Sequence, residues 1–418
     1  MNDSSAKNVA VPKVTVDWYR STPWWRLLSH SVSISWRASH LALCAAALLV
    51  TQALVGISGI LFAPEEHSAT ISWLAPENRT PAMLPWSVDP SRWIEGFENR
   101  NQEVQQPTTS TRLQWFYHSP DSFLNIWRRY TSYPFHAFDG MTLRKSAYFL
   151  WNTLSIIILW SLVGGILARR SVQELGMHIT SPWRDTLRWV VARWRSIIWS
   201  VLMPLSLVGL LCLLPLLLGW ISRIPWIGQS VSLALMLPVA LMALGVGWVV
   251  AIPLLGFSLS TVSIVTEKQA DAFDGMSRAS AYVFQRPTTL FLAVIVAEWL
   301  GHFGGSIVSI VLNTGYNLLF QAFSLGSSRP LGFMGSWLDG CFQGIVPLLV
   351  TAFGFSFFWT ASTAIYLVLR RDVDRAEFDL VDMGSSVLPK PLPKISQAPE
   401  PATKVEPATE PPKSQTGE

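Results

Sequence analysis

Long uncharged stretches alternate with short basic ones along this chain, and that alternation predicts its elements. A bilayer core about 30 Å thick needs roughly 20 apolar residues at about 1.5 Å each. Six runs meet that demand: residues 41–62, 147–167, 197–220, 230–262, 288–318 and 345–369. The reading is all-α: a polytopic helical membrane protein of about six transmembrane helices. The fourth run stays uncharged as far as Thr266 and holds Pro238 and Pro253. Proline removes a backbone donor and bends a helix, so one tilted or kinked helix projecting past the bilayer is expected there.

Lysine and arginine in the short loops set the orientation. Lys7, Lys13, Arg20, Arg26 and Arg37 precede the first run. Arg169, Arg170, Arg184, Arg188, Arg193 and Arg195 follow the second, and Lys268, Arg278 and Arg286 follow the fourth. Arg370, Arg371 and Arg375 follow the sixth, whereas Arg223 and Arg329 stand alone in the opposite short loops. Arg144 and Lys145 belong to a long loop, which is exempt from the rule. Both termini are therefore expected in the cytoplasm, with the chain crossing the cytoplasmic (inner) membrane several times.

Composition agrees. Charged residues are 14% of the chain, against about 25% in soluble domains. Twenty-one tryptophans suit membrane interfaces, where an apolar ring and a polar N–H are both accommodated. The first apolar run begins too late for a cleaved secretory signal and reads as an uncleaved anchor. Cys44, Cys212 and Cys341 are far apart, which excludes the usual metal and redox spacings.

Outside the apolar runs, residues 1–40 read as a cytoplasmic segment with an interfacial aromatic helix over 18–40. Residues 63–146 read as an extracytoplasmic aromatic loop or cap, built of short helices on the outer membrane face. Asn78-Arg79-Thr80 in that loop has glycosylation spacing. Residues 147–383 form a five-helix membrane region. Residues 384–418 are Pro-rich with few large apolar side chains, so they are expected to be a disordered cytoplasmic tail, with a polyproline stretch at 389–393. Residues 168–196 read as an amphipathic helix whose Arg184, Arg188, Arg193 and Arg195 meet lipid headgroups beside tryptophans.

Two stretches carry candidate chemistry. The first joins runs four and five and holds Asp271, Asp274, Gly275, Arg278, Tyr282 and Arg286. Asp274 and Arg278 are spaced to pair on one helix face, with Asp271 extending the polar stripe. Phe273, Met276, Tyr282 and Phe284 are placed to dock on neighbouring helices, and Pro287 disfavours helix at Arg286. This is an elbow helix, structural or partner-docking. The second is Glu298 with His302, one turn apart in the middle of run five, with Asn313 further along. Ionisable groups at membrane depth are costly and must face a partner. The pair suits a structural couple, a proton relay or two metal ligands. Gly301, Gly304 and Gly305 beside it permit close helix contact.

Arg37-Ala-Ser-His-Leu41, Gly164-Gly165 followed by Arg169-Arg170, and Asp271-Ala-Phe-Asp-Gly-Met-Ser-Arg278 with Tyr282 and Arg286-Pro287 together resemble an uncharacterised family of bacterial polytopic membrane proteins. That likeness implies the architecture and no chemistry. The elbow is also similar to the docking loop of importer permeases at Ala270, Asp274-Gly275 and Tyr282, although Gln269-Ala270-Asp271 stands where those loops have Glu-Ala-Ala. That likeness implies an ATPase partner. No phosphate loop, GxSxG or HExxH motif is present, so no catalytic residue, metal, cofactor or nucleic-acid partner is indicated. The sequence thus points to a non-enzymatic scaffold or accessory subunit with membrane lipids and a membrane protein as partners. The alternative is a transporter or permease subunit working through Glu298 and His302.

Overall fold

The computed structural model describes residues 23–62, 122–132, 143–224, 227–267, 270–326, 333–376 and 378. The expectations for residues 1–22, for Asn78 and most of the outer loop, and for the tail lie outside those residues. All described residues belong to one compact unit; the second unit, Met383–Glu418, lies outside them.

The described residues form α1 (Trp24–Ser35), α2 (Ala38–Phe62), α3 (Phe123–Ser132), α4 (Leu143–Met177) and α5 (Trp183–Ile221). They continue as α6 (Ile227–Thr266), α7 (Ala272–Gln285), α8 (Pro287–Gly326) and α9 (Phe333–Asp374). Among these residues the chain is all-α and polytopic. Five helices are long and apolar enough to cross a membrane: α2, α4, α5, α8 and α9. The sixth expected crossing, on α6, is a single helix of 40 residues that runs through Pro238 and Pro253. Its described apolar stretches are two shorter ones, Leu233–Gly247 and Gly256–Thr266. The side chains at 248–255, between those stretches, lie outside the described ones.

Helices α5, α6, α8 and α9 have 39, 40, 40 and 42 residues. At a rise of about 1.5 Å per residue each is about 60 Å long, roughly twice a bilayer core. Their packing is uneven. Residues 350–370 of α9 are all buried, so this stretch is the hub of the bundle. Lipid tails are as apolar as leucine, so close packing rather than escape from water holds such a hub. Glycines set the approach: a Cβ on Gly164 of α4 would lie 2.3 Å from Trp359, and one on Gly304 of α8 would lie 2.8 Å from Phe353. The far halves of the α5–α6 and α8–α9 pairs form two arms, with Leu210, Leu233, Leu244 and Leu318 largely exposed.

Two short helices pack into the bundle. Helix α1 falls in the segment expected to be interfacial. Leu27, Leu28, Ser31, Ile34 and Ser35 are buried against the bundle. Ser356 Oγ donates to the Ser35 carbonyl at 3.1 Å and Thr360 Oγ1 to the Ser31 carbonyl at 3.4 Å, and Trp36 meets Phe353 edge to face. Helix α3, from the segment expected on the outer face, lies among the middles of α4, α8 and α9. Tyr130 packs on Trp160, Phe257, Phe355 and Phe358 with ring centroids 5.5–5.7 Å apart. Rings at these angles add attraction beyond the area they bury.

Candidate functional site

The Glu298 carboxylate accepts the Leu124 N–H at 2.8 Å. Leu124 is in the first turn of α3, where backbone donors have no partner within the helix. In apolar surroundings such a donor is expensive to leave unpaired, and the N-terminal end of the helix dipole favours an anion. Glu298 therefore caps α3 from a different helix. Gly301, one turn on, lets α3 and α9 approach: a Cβ there would lie 2.7 Å from Phe357 and 3.5 Å from the Phe123 nitrogen. His302 is buried and close enough to Glu298 to feel its charge. Asn313 does not join them. Its amide donates to the Ser309 carbonyl on its own helix at 2.7 Å. No group of three His, Cys, Asp or Glu side chains suited to a metal occurs among the described residues.

The elbow is α7. Asp271 is its N-cap and accepts the Asp274 N–H at 2.8 Å, so it starts the helix rather than extending a stripe. Asp274 pairs with Arg278 at 3.1 Å. Arg278 also reaches Glu267 at 3.7 Å, and Glu267 pairs with Arg370 at 3.1 Å. Burial pulls the Arg278 guanidinium down, but the hydrogen-bonded Asp274 and nearby Glu267 hold it above its usual range. Tyr282 is buried and donates to the Asp374 carboxylate. Burial, then Tyr366 beside it and that bond push its hydroxyl well above the ordinary tyrosine range. Gly275 sits where α7 crosses α6: a Cβ would lie 2.6 Å from Ile264 and 3.1 Å from the Ser260 carbonyl. These contacts lock α6, α7 and α9 together. Arg286 is exposed and non-helical between α7 and α8, as a residue before proline should be. Phe273 and Phe284 are exposed, at 61% and 47%, on the outward face of α7.

The four headgroup arginines lie on α5, which is continuous with the apolar segment after them. Arg184, Arg188 and Arg195 are exposed, and Arg193 stacks 3.6 Å over Trp189. From Arg184 to Arg195 they spread over about 16 Å of helix axis.

Arg37, Arg169 and Arg170, which the sequence marks only by topology or resemblance, lie at this arginine-rich end. Arg169 is almost fully buried; it donates to the Val265 carbonyl at 2.9 Å, as does Trp189 Nε1 at 3.0 Å. Both serve the last carbonyls of α6, which lack intrahelical partners and sit at the negative end of the dipole. Arg37 pairs with Glu174, and Arg170 lies 4.0 Å over Trp183. The Arg170–Glu174 spacing of one turn was a visible signal. No protein-family model, curated protein or solved structure matches this chain.

Proposed function

We propose that this chain is a non-catalytic membrane protein, a scaffold or accessory subunit that binds a protein partner in the membrane. We place it in the cytoplasmic membrane, with its arginine-rich end in the cytoplasm, on the loop charges. The observation that carries the reading is the use of Glu298. The costliest side chain at membrane depth caps a helix of its own bundle, and the elbow charges likewise tie helices together. The outward face of α7, where Phe273 is exposed, is the surface proposed for a partner.

Purification of the tagged chain in mild detergent, with mass spectrometry of what accompanies it, is the test. A stoichiometric membrane partner lost in the Phe273→Ser/Phe284→Ser double variant supports the reading. Isolation of the chain alone at full stability overturns it. A transporter is the second reading, favoured by His302 lying within reach of the Glu298 charge. Under the scaffold reading Glu298→Gln keeps an acceptor for Leu124 and retains abundance and partner. Under the transport reading that variant abolishes flux at normal abundance.

A further inference from the structure

At the arginine-rich end, α2, α4 and α5 converge around one histidine. His40 is fully buried, and neither ring nitrogen has a hydrogen-bond partner. A neutral imidazole carries one donor and one acceptor, and burying both unused is costly. Its ring stands edge-on to Trp183, centroids 6.3 Å apart. Arg170 stacks on that same ring and donates to the Ser181 carbonyl at 3.3 Å. The charges that bear on His40 are the guanidiniums of Arg170 and Arg37.

Charge in this cluster is not balanced. Glu174 is paired with Arg37 and its charge also acts on Arg170, so one anion serves two cations. Asp185 lies in the first turn of α5, where it meets the helix dipole. No side chain caps the N-terminus of α5 at Pro182; the Asp185 and Thr186 amides donate to the Pro182 carbonyl, which leaves those of Trp183 and Arg184 for an acceptor. Trp183 is partly exposed, as an interfacial tryptophan is.

We propose that Arg37, Arg170 and the start of α5, packed around the buried His40, bind the phosphate of an anionic phospholipid headgroup. The phosphodiester supplies the missing negative charge, and its oxygens accept from Arg170 and from the Trp183 and Arg184 amides of α5. A headgroup is the source because the cluster lies where the apolar stretches of α2 and α4 begin and end.

The test uses the full chain in detergent, with native mass spectrometry after addition of phosphatidylglycerol or phosphatidylcholine. The wild type should retain phosphatidylglycerol preferentially. Arg170→Gln should reduce retention about fivefold, the worth of one interfacial charge. Glu174→Gln should increase it, because the competing carboxylate is gone; a merely structural salt bridge predicts no gain. Arg223→Gln, an exposed arginine just beyond the far end of α5, should change nothing. If Arg170→Gln does not fold, Glu174→Gln alone decides by the sign of its effect. Equal retention of the two lipids, an unchanged Glu174→Gln, or displacement of the lipid by millimolar inorganic phosphate would each overturn the proposal.

Discussion

The packed half of the bundle and its two arms are made of the same kind of residue, yet they treat glycine in opposite ways. In the packed half a Cβ on Gly164, Gly165, Gly275, Gly301 or Gly304 would come closer than 3.0 Å to another atom. In the arms Gly209, Gly219, Gly245, Gly247 and Gly315 have nothing within 4 Å; Gly228 is the exception, and it faces the Ile221 carbonyl of the turn it belongs to. Hydropathy does not separate the two: the α5 crossing is the most apolar of the five, and only 6% of its window is buried inside the chain. Small residues mark protein contact in a membrane only where something stands opposite them.

The largest expected effect tests that contrast directly. Gly164→Val drives a branched side chain into Trp359 and should cost 1–3 kcal/mol or more, roughly, seen as loss of the monodisperse peak. Gly209→Val should leave the same peak unchanged; a comparable loss there would mean that the arm is covered. Next comes Gly275→Ala, which presses on Ile264 and on a backbone carbonyl that has little room to move. Its melting temperature should fall, by somewhat less than for Gly164→Val.

Glu298→Ala should cost about 1–2 kcal/mol, as the loss of a helix cap does, and Glu298→Gln clearly less. Equal losses in thermal unfolding would remove the capping role. Smaller again is Arg278→Gln. Its guanidinium is 39% exposed, so solvent screens its pairs and under about 1 kcal/mol is expected.

The smallest effect depends on pH. The Tyr282 hydroxyl is held above its ordinary range, so its stabilising contribution is complete below about pH 10. It fades as pH climbs toward the folded value. The stability gap between wild type and Tyr282→Phe should therefore narrow above pH 10, and a constant gap would deny the shift.

Much of the architecture was legible because bilayer thickness and apolar run length are tied by simple geometry. The salt bridge of Asp274 with Arg278 was legible too, since helix periodicity alone brings residues one turn apart together. What lay hidden depended on partners distant in sequence. Glu298 was visible as an anomaly, but its acceptor role requires Leu124, 174 positions away. Arg169 looked like a topology signal and is buried against the Val265 carbonyl. The partner of α1's apolar face was hidden as well, because an amphipathic face has the same pattern whether lipid or α9 covers it.

The capping of α3 also bears on the order of manufacture. Chains are inserted as they emerge, N-terminal part first. When α3 leaves the ribosome, Glu298 and the ring-bearing turns of α9 do not yet exist. The early product is thus a set of crossings with a half-housed helix, and the last two long helices complete its place. A chain terminated after Gln285 would keep all of its early spans and still present an open amide and bare aromatics to the membrane proteases that police unfinished proteins.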